Sequence, residues 1–142
     1  GFDEEQAYLT GLLHDYAKGI SGQELIELAE DYGIELAPID REVPDLLHGP
    51  VGACLLADEL DIDDQELLHA VSAHTLGCLD MNGLDKIIYL ADMIEPGRDY
   101  PGMEGLETTV KNCIERGRLL HPRTVEVRNQ YLRLFGNMMD LA

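Results

Sequence analysis

The chain has no tryptophan, only 6% aromatic residues, and 10 lysines and arginines against 28 aspartates and glutamates, a formal net charge of −18. So little basic charge argues against binding nucleic acid, because neutralising a phosphate backbone takes a Lys/Arg footprint. It disfavours an anionic membrane surface for the same reason. No apolar run approaches the roughly 18 residues that a membrane-spanning helix needs. The start, Gly1-Phe2-Asp3-Glu4-Glu5, lacks the basic and apolar regions of a signal peptide. It also lacks an initiator Met, which suggests a fragment or a processed product. The cysteines are Cys54, Cys78 and Cys113, odd in number and widely spaced, with no C-x-x-C. That argues against a disulfide framework or a thiolate zinc site, and it fits buried thiols in a reducing, cytoplasmic setting.

What is present suits one soluble domain over residues 1–142, with 45% hydrophobic and 27% charged residues. No segment shows sustained period-two alternation, so the expected class is all-α, a bundle of about six or seven helices. A first helix is expected over residues 4–18, stopped by Gly19. Ser21 with Glu24 forms a capping box for a second helix that runs to Gly33. A loop carrying Pro38 and Pro44 follows. Pro50 suits the first turn of a helix that continues to Leu60. Asp63 and Glu66 cap a helix through Thr75, closed by Gly77. Asn82 or Gly83 opens a helix over residues 84–94, which Pro96-Gly97 ends. A loop holding Arg98 and Tyr100 leads to a helix over residues 104–116. Pro122 starts a last one through Phe135.

The chemistry is concentrated in five residues. His14 and Asp15 are adjacent at the end of an apolar run. Neighbours on a helix diverge by about 100°, so they hold one ion together only if other helices close around it. His48, His74 and Asp92 are what such a centre would need. Asp92 lies in the apolar run Ile87-Ile88-Tyr89-Leu90-Ala91-Asp92-Met93-Ile94, where a carboxylate is costly unless paired or metal-bound. Ligands of His and carboxylate type suit iron, manganese or zinc. Each residue alone has a plainer reading: His48 as a loop residue, His74 as a satisfied core histidine. His69 reads as surface, and His121 as helix-terminal. Lys18 and Arg98 are rare bases close to Asp15 and Asp92. They point to an anionic substrate such as a phosphate ester, unless they merely pair with nearby acids.

The order His-Asp, His, His, Asp resembles the HD-domain superfamily of phosphohydrolases. Five segments extend the likeness: LLHDYAKG (residues 12–19), LLHGPVGA (46–53), AVSAHTLG (70–77), KIIYLADMIEPGRDYPG (86–102) and HPRTVEVRNQYL (121–132). They are similar to the YqeK-type branch, bacterial symmetrical diadenosine-tetraphosphate hydrolases linked to NAD metabolism. The block ending Ile94-Glu95-Pro96-Gly97-Arg98 is its most specific part. The resemblance implies an HD-domain bundle with a binuclear site for a divalent metal, iron as first choice. His14, Asp15 and Asp92 would hold one ion, and Asp15 would bridge to a second held by His48 and His74. Asp15 and Lys18 would serve catalysis, and Lys18, Thr75 and Arg98 would contact the nucleotide, which would be cleaved to two ADP. It also implies a metal-ligand His on a helix upstream of the pair. No residue before His14 is His, so that helix is expected beyond Gly1, or else one metal position is weakened and a homodimer makes up for the lost apolar contacts. Three other readings remain: an HD hydrolase of another nucleotide, a nucleotide-binding regulatory module with an incomplete metal site, and an inert helical interaction domain.

Overall fold

In a computed structural model of the chain, residues 3–99, 101 and 105 are described. Between residues 3 and 99 the described residues form six α-helices and one 3-10 turn, and there is no strand among the described residues. They are α1 (Glu4–Leu13), α2 (Gly22–Asp31), α3 (Pro38–Glu42), the 3-10 turn Pro44–Leu47, α4 (His48–Glu59), α5 (Gln65–Ala73) and α6 (Gly83–Met93). The all-α expectation holds. The helices expected over residues 104–116 and from Pro122, with Tyr100, Cys113 and His121, lie outside the described residues. By contact density the chain divides into residues 1–98 and 99–142. All that follows concerns the first unit.

Several element boundaries differ from the sequence-based expectation. α1 ends at Leu13, well short of Lys18. The chain then tightens into successive turns, with Tyr16 N–H donating to Leu13 O (3.0 Å) and Lys18 N–H to Asp15 O (2.8 Å). Gly19 comes after these turns, with φ +96°, a conformation open to glycine. The stretch with Pro38 and Pro44 is not a plain loop. Each proline starts a short helical segment, where its missing N–H costs nothing. α4 begins at His48, earlier than Pro50 suggests. The cap of α5 is Asp64 rather than Asp63, its side chain accepting from the N–H groups of Glu66 and Leu67. Ser21 caps α2, its hydroxyl accepting the Glu24 N–H, but the return bond from Glu24 that a capping box needs is not formed among the described residues. Asn82 caps α6, with Asp85 returning the bond.

α4 packs on α5 and α5 on α6, while α1 crosses both α5 and α6. α2 lies against the 3-10 turn and α4. Leu25, Ala29, Leu47, Val51 and Leu55 form the core between α2 and α4. Leu56, Leu67 and Val71 join α4 to α5. Ala70, Leu84 and Ile88 join α5 to α6. Burying each large aliphatic side chain contributes about 1.5–3 kcal/mol. These three layers therefore set where the helix ends fall. The α4–α5 contact is close because α4 carries glycine there. A Cβ at Gly49 would stand 3.0 Å from the carbonyl of Ser72 and 3.2 Å from that of Val71. One at Gly52 would stand 3.4 Å from Ala17 Cβ.

Candidate metal centre

Three histidines share one local device. His14 is the C-cap of α1, His48 of the 3-10 turn, and His74 of α5. The last carbonyls of a helix have no intrahelical donor. In each case the imidazole Nδ1 reaches the carbonyl three residues back: Gly11 (2.6 Å), Asp45 (2.5 Å) and Val71 (2.6 Å). A carbonyl can only accept, so each Nδ1 carries the proton. Each neutral ring then presents a bare lone pair at Nε2, a tautomer assigned from the bonding pattern.

The three Nε2 atoms converge. Those of His48 and His74 are 3.0 Å apart. Asp15 Oδ1 lies 3.3 Å from the first and 3.4 Å from the second. His14 Nε2 lies 3.5 Å from Asp15 Oδ2 and 3.7 Å from Asp92 Oδ1. The rings of His14 and His48 each meet that of His74 edge-on at 4.9 Å. Among the described residues, His14 Nε2 and Asp15 Oδ1 are buried without a hydrogen bond. Imidazole lone pairs 3.0 Å apart and facing a carboxylate repel unless a proton or a cation lies between them. The C-terminal, negative ends of α1, the 3-10 turn and α5 meet there too, which favours positive charge. The donor set therefore fits a divalent metal.

The protonation tendencies favour a neutral His74 and an ionised Asp15, while at His14 an entering ion would have to displace a proton. The Asp92 carboxylate is the main influence raising His14 above its usual pKa, with burial working against it. Burial is the main influence lowering His74, and the neighbouring rings of His48 and His14 add to it. For Asp15, burial alone would raise the carboxyl, but Lys18, His14 and His48 together hold it below the ordinary range.

All five candidate ligands expected from the sequence thus fall in one place, His48 and His74 being 4% and 1% exposed. His48 is no loop residue. Lys18 follows Asp15 in a turn, not along a helix, and its Nζ sits 2.9 Å from Asp15 Oδ2 while the side chain stays half-exposed. Arg98 pairs with Asp92 and lies 3.8 Å from Glu95. Thr75 does more than flank His74. Its hydroxyl is 3.3 Å from His48 Nε2 and 3.2 Å from His74 Nε2, so it can give its one proton to either ring. A cavity of about 400 Å³ opens beside the cluster, lined by Gly11, His14, Ile88, Ala91 and Asp92 among others. The expectation of buried thiols fails: Cys54 is partly buried and Cys78 is exposed. His69 is half-exposed, as expected, but its partner was not foreseen. Its Nδ1 lies 2.9 Å from Asp85, a fully buried carboxylate at the start of α6.

A model of the HD domain family matches residues 1–97. The chain is 32% identical to a protein of Halalkalibacterium halodurans named bis(5'-nucleosyl)-tetraphosphatase, symmetrical, over 93% of this chain and 79% of that one. It is 36% identical to a Bacillus subtilis protein of the same name over 73% of this chain, and it spans 55% of that relative's length. Among solved structures it is similar to a Clostridium acetobutylicum protein described as a predicted HD superfamily hydrolase involved in NAD metabolism. That likeness has a TM-score of 0.68 at 38% identity, covering 89% of this chain and 76% of that one.

Proposed function

The chain belongs to the HD domain family, and from that premise we propose that it is a metal-dependent hydrolase that cleaves diadenosine tetraphosphate symmetrically into two ADP. The observation that carries the metal site is the convergence of the Nε2 atoms of His14, His48 and His74 on the Asp15 carboxylate, with His14 Nε2 and Asp15 Oδ1 buried and without a hydrogen bond among the described residues. The substrate rests on the names of the relatives. His14, Asp15 and Asp92 would hold one ion and His48 and His74 a second, with Asp15 shared. Iron is the first choice, with manganese and zinc as alternatives. When bound, the metal supplies Lewis-acid polarisation of the phosphoryl group and a lowered pKa for water.

The residues of the chain do the rest. The Nδ1–carbonyl bonds keep the three rings in the ligating tautomer and fix their aim. Lys18 keeps Asp15 ionised and turned inward, and its half-exposed ammonium offers positive charge to a phosphate oxygen. Arg98 pairs with Asp92 and leaves guanidinium N–H groups for a second phosphate contact. Thr75 donates its hydroxyl hydrogen bond at the rim of the cluster. The apolar cavity beside His14 gives a nucleobase a surface to lie on. Water adds to phosphorus at the central P–O–P bridge, and the bridging oxygen leaves with one ADP.

The test is incubation of the chain with diadenosine tetraphosphate and ferrous iron or manganese, with products separated by chromatography. ADP as the sole product is expected. ATP with AMP would overturn symmetrical cleavage, and turnover of a different nucleotide alone would replace the substrate. His48→Ala should lower turnover by at least about 100-fold, since even outer-shell changes cost 10–100-fold. Unchanged turnover would remove the two-ion arrangement.

A further inference from the structure

Away from this cluster, His69 on α5, Cys78 in the loop after it and Asp85 in the first turn of α6 bring one ligand atom each to within 4.8 Å of one another. We propose that these three residues form a second metal site, for a thiophilic divalent cation of the zinc type. The placement comes from three separate segments. His69 Nδ1 is 2.9 Å from Asp85 Oδ2, and Cys78 Sγ is 3.9 Å from His69 Nε2. Asp85 is 0% exposed. Its Oδ2 accepts the Asn82 N–H at 2.8 Å, but among the described residues its Oδ1 has no hydrogen-bond partner. A buried carboxylate oxygen left unpaired is costly and calls for a cation.

The chemistry matches zinc. A tetrahedral ion takes mixed N, S and O donors, with Zn–S about 2.3 Å and Zn–N about 2.0–2.1 Å, so it holds its donors about 3.3–3.6 Å apart. Small adjustments of the two exposed side chains, His69 and Cys78, close the remaining gap. Their exposure leaves an entry path and a fourth position for water or another ligand. Binding of the cation displaces the thiol proton. A plain His69–Asp85 ion pair with an incidental thiol is the competing account, and it gives Cys78 no part in binding metal.

Cobalt(II) is the probe, because a cobalt–thiolate bond produces a charge-transfer absorption that nitrogen and oxygen ligands do not. The full chain, stripped with chelator and titrated with cobalt, should develop that absorption. Cys78→Ser should abolish it, His69→Gln should weaken the site by at least about 10-fold, and His48→Ala should leave it unchanged. Cys78 is exposed, so the serine variant keeps the fold, which far-UV circular dichroism checks. In parallel, zinc should slow alkylation of Cys78 by iodoacetamide without protecting Cys54. The proposal is overturned by absorption that persists in Cys78→Ser, by cobalt uptake without thiolate absorption, by loss of the band in His48→Ala, or by a Cys78 alkylation rate that zinc does not change.

Discussion

The imidazole tautomer is the residue-level fact on which the centre depends. Each of His14, His48 and His74 spends its Nδ1 proton on a backbone carbonyl three residues back, so each ring is ready to ligate before any ion arrives. Thr75 is the one neutral donor between two of these rings. Thr75→Val keeps the shape and removes that proton. The hydroxyl proton and an ion compete for the same Nε2 lone pairs, so metal affinity should rise in the variant. Affinity that falls would mean that the hydroxyl supports the ligated state instead. Asp92 is the main reason His14 titrates high. Asp92→Asn should therefore move the His14 titration to lower pH in the metal-free protein, as followed by proton NMR.

At the scale of the element, the helix ends carry the site and the α4–α5 contact sets its width. Gly49→Ala would press a methyl group onto the carbonyls of Ser72 and Val71, neither of which can turn aside, and would approach His74 Nδ1 at 3.5 Å. The expected cost is about 1–3 kcal/mol in stability, with a further loss of metal affinity because His48 and His74 are pushed apart. A calorimetric titration on the folded variant separates the two effects. Asp64 works at another helix end. It caps α5 and also accepts from Gln6 of α1 at 2.9 Å. The Gln6 bond is the leading reason its pKa is lowered. A carboxylate lowered on folding stabilises above its unfolded pKa, and that contribution fades as pH falls through the folded value. Asp64→Ala should cost about 1 kcal/mol at neutral pH. The gap between parent and variant should shrink as urea unfolding is repeated at successively lower pH below 3.8. A gap independent of pH would show that Asp64 does not act through its charge.

Across the whole molecule, the net charge of −18 opposes compaction, and the metal site is one place where positive charge can enter. Chelation should therefore lower Tm, and adding back ferrous iron or manganese should restore it in proportion to the logarithm of metal concentration. Added sodium chloride should raise the Tm of the metal-free chain by screening acid–acid repulsion over about 8–10 Å. A Tm indifferent to chelator would mean the cluster holds its shape without an ion.

The amino-acid sequence alone determined the all-α class, the Ser21 cap, a start for α6 at Asn82 or Gly83, and the identity of the five clustered residues. These depend on local patterns: apolar spacing, capping side chains, and an acid stranded in the apolar run around Asp92. The resemblance carried by the HD motifs supplied the family. Only the tertiary structure decided the rest. That α1 stops at Leu13 depends on packing against α5 and α6, since local propensity would carry the helix further. That His48 is buried and not a loop residue depends on α4 meeting α5 through glycine. Lys18 and Arg98 pair with acids only three and six residues away, but that these pairs border the histidine cluster, and that His69, Cys78 and Asp85 meet at all, depends on contacts between segments that no local pattern encodes.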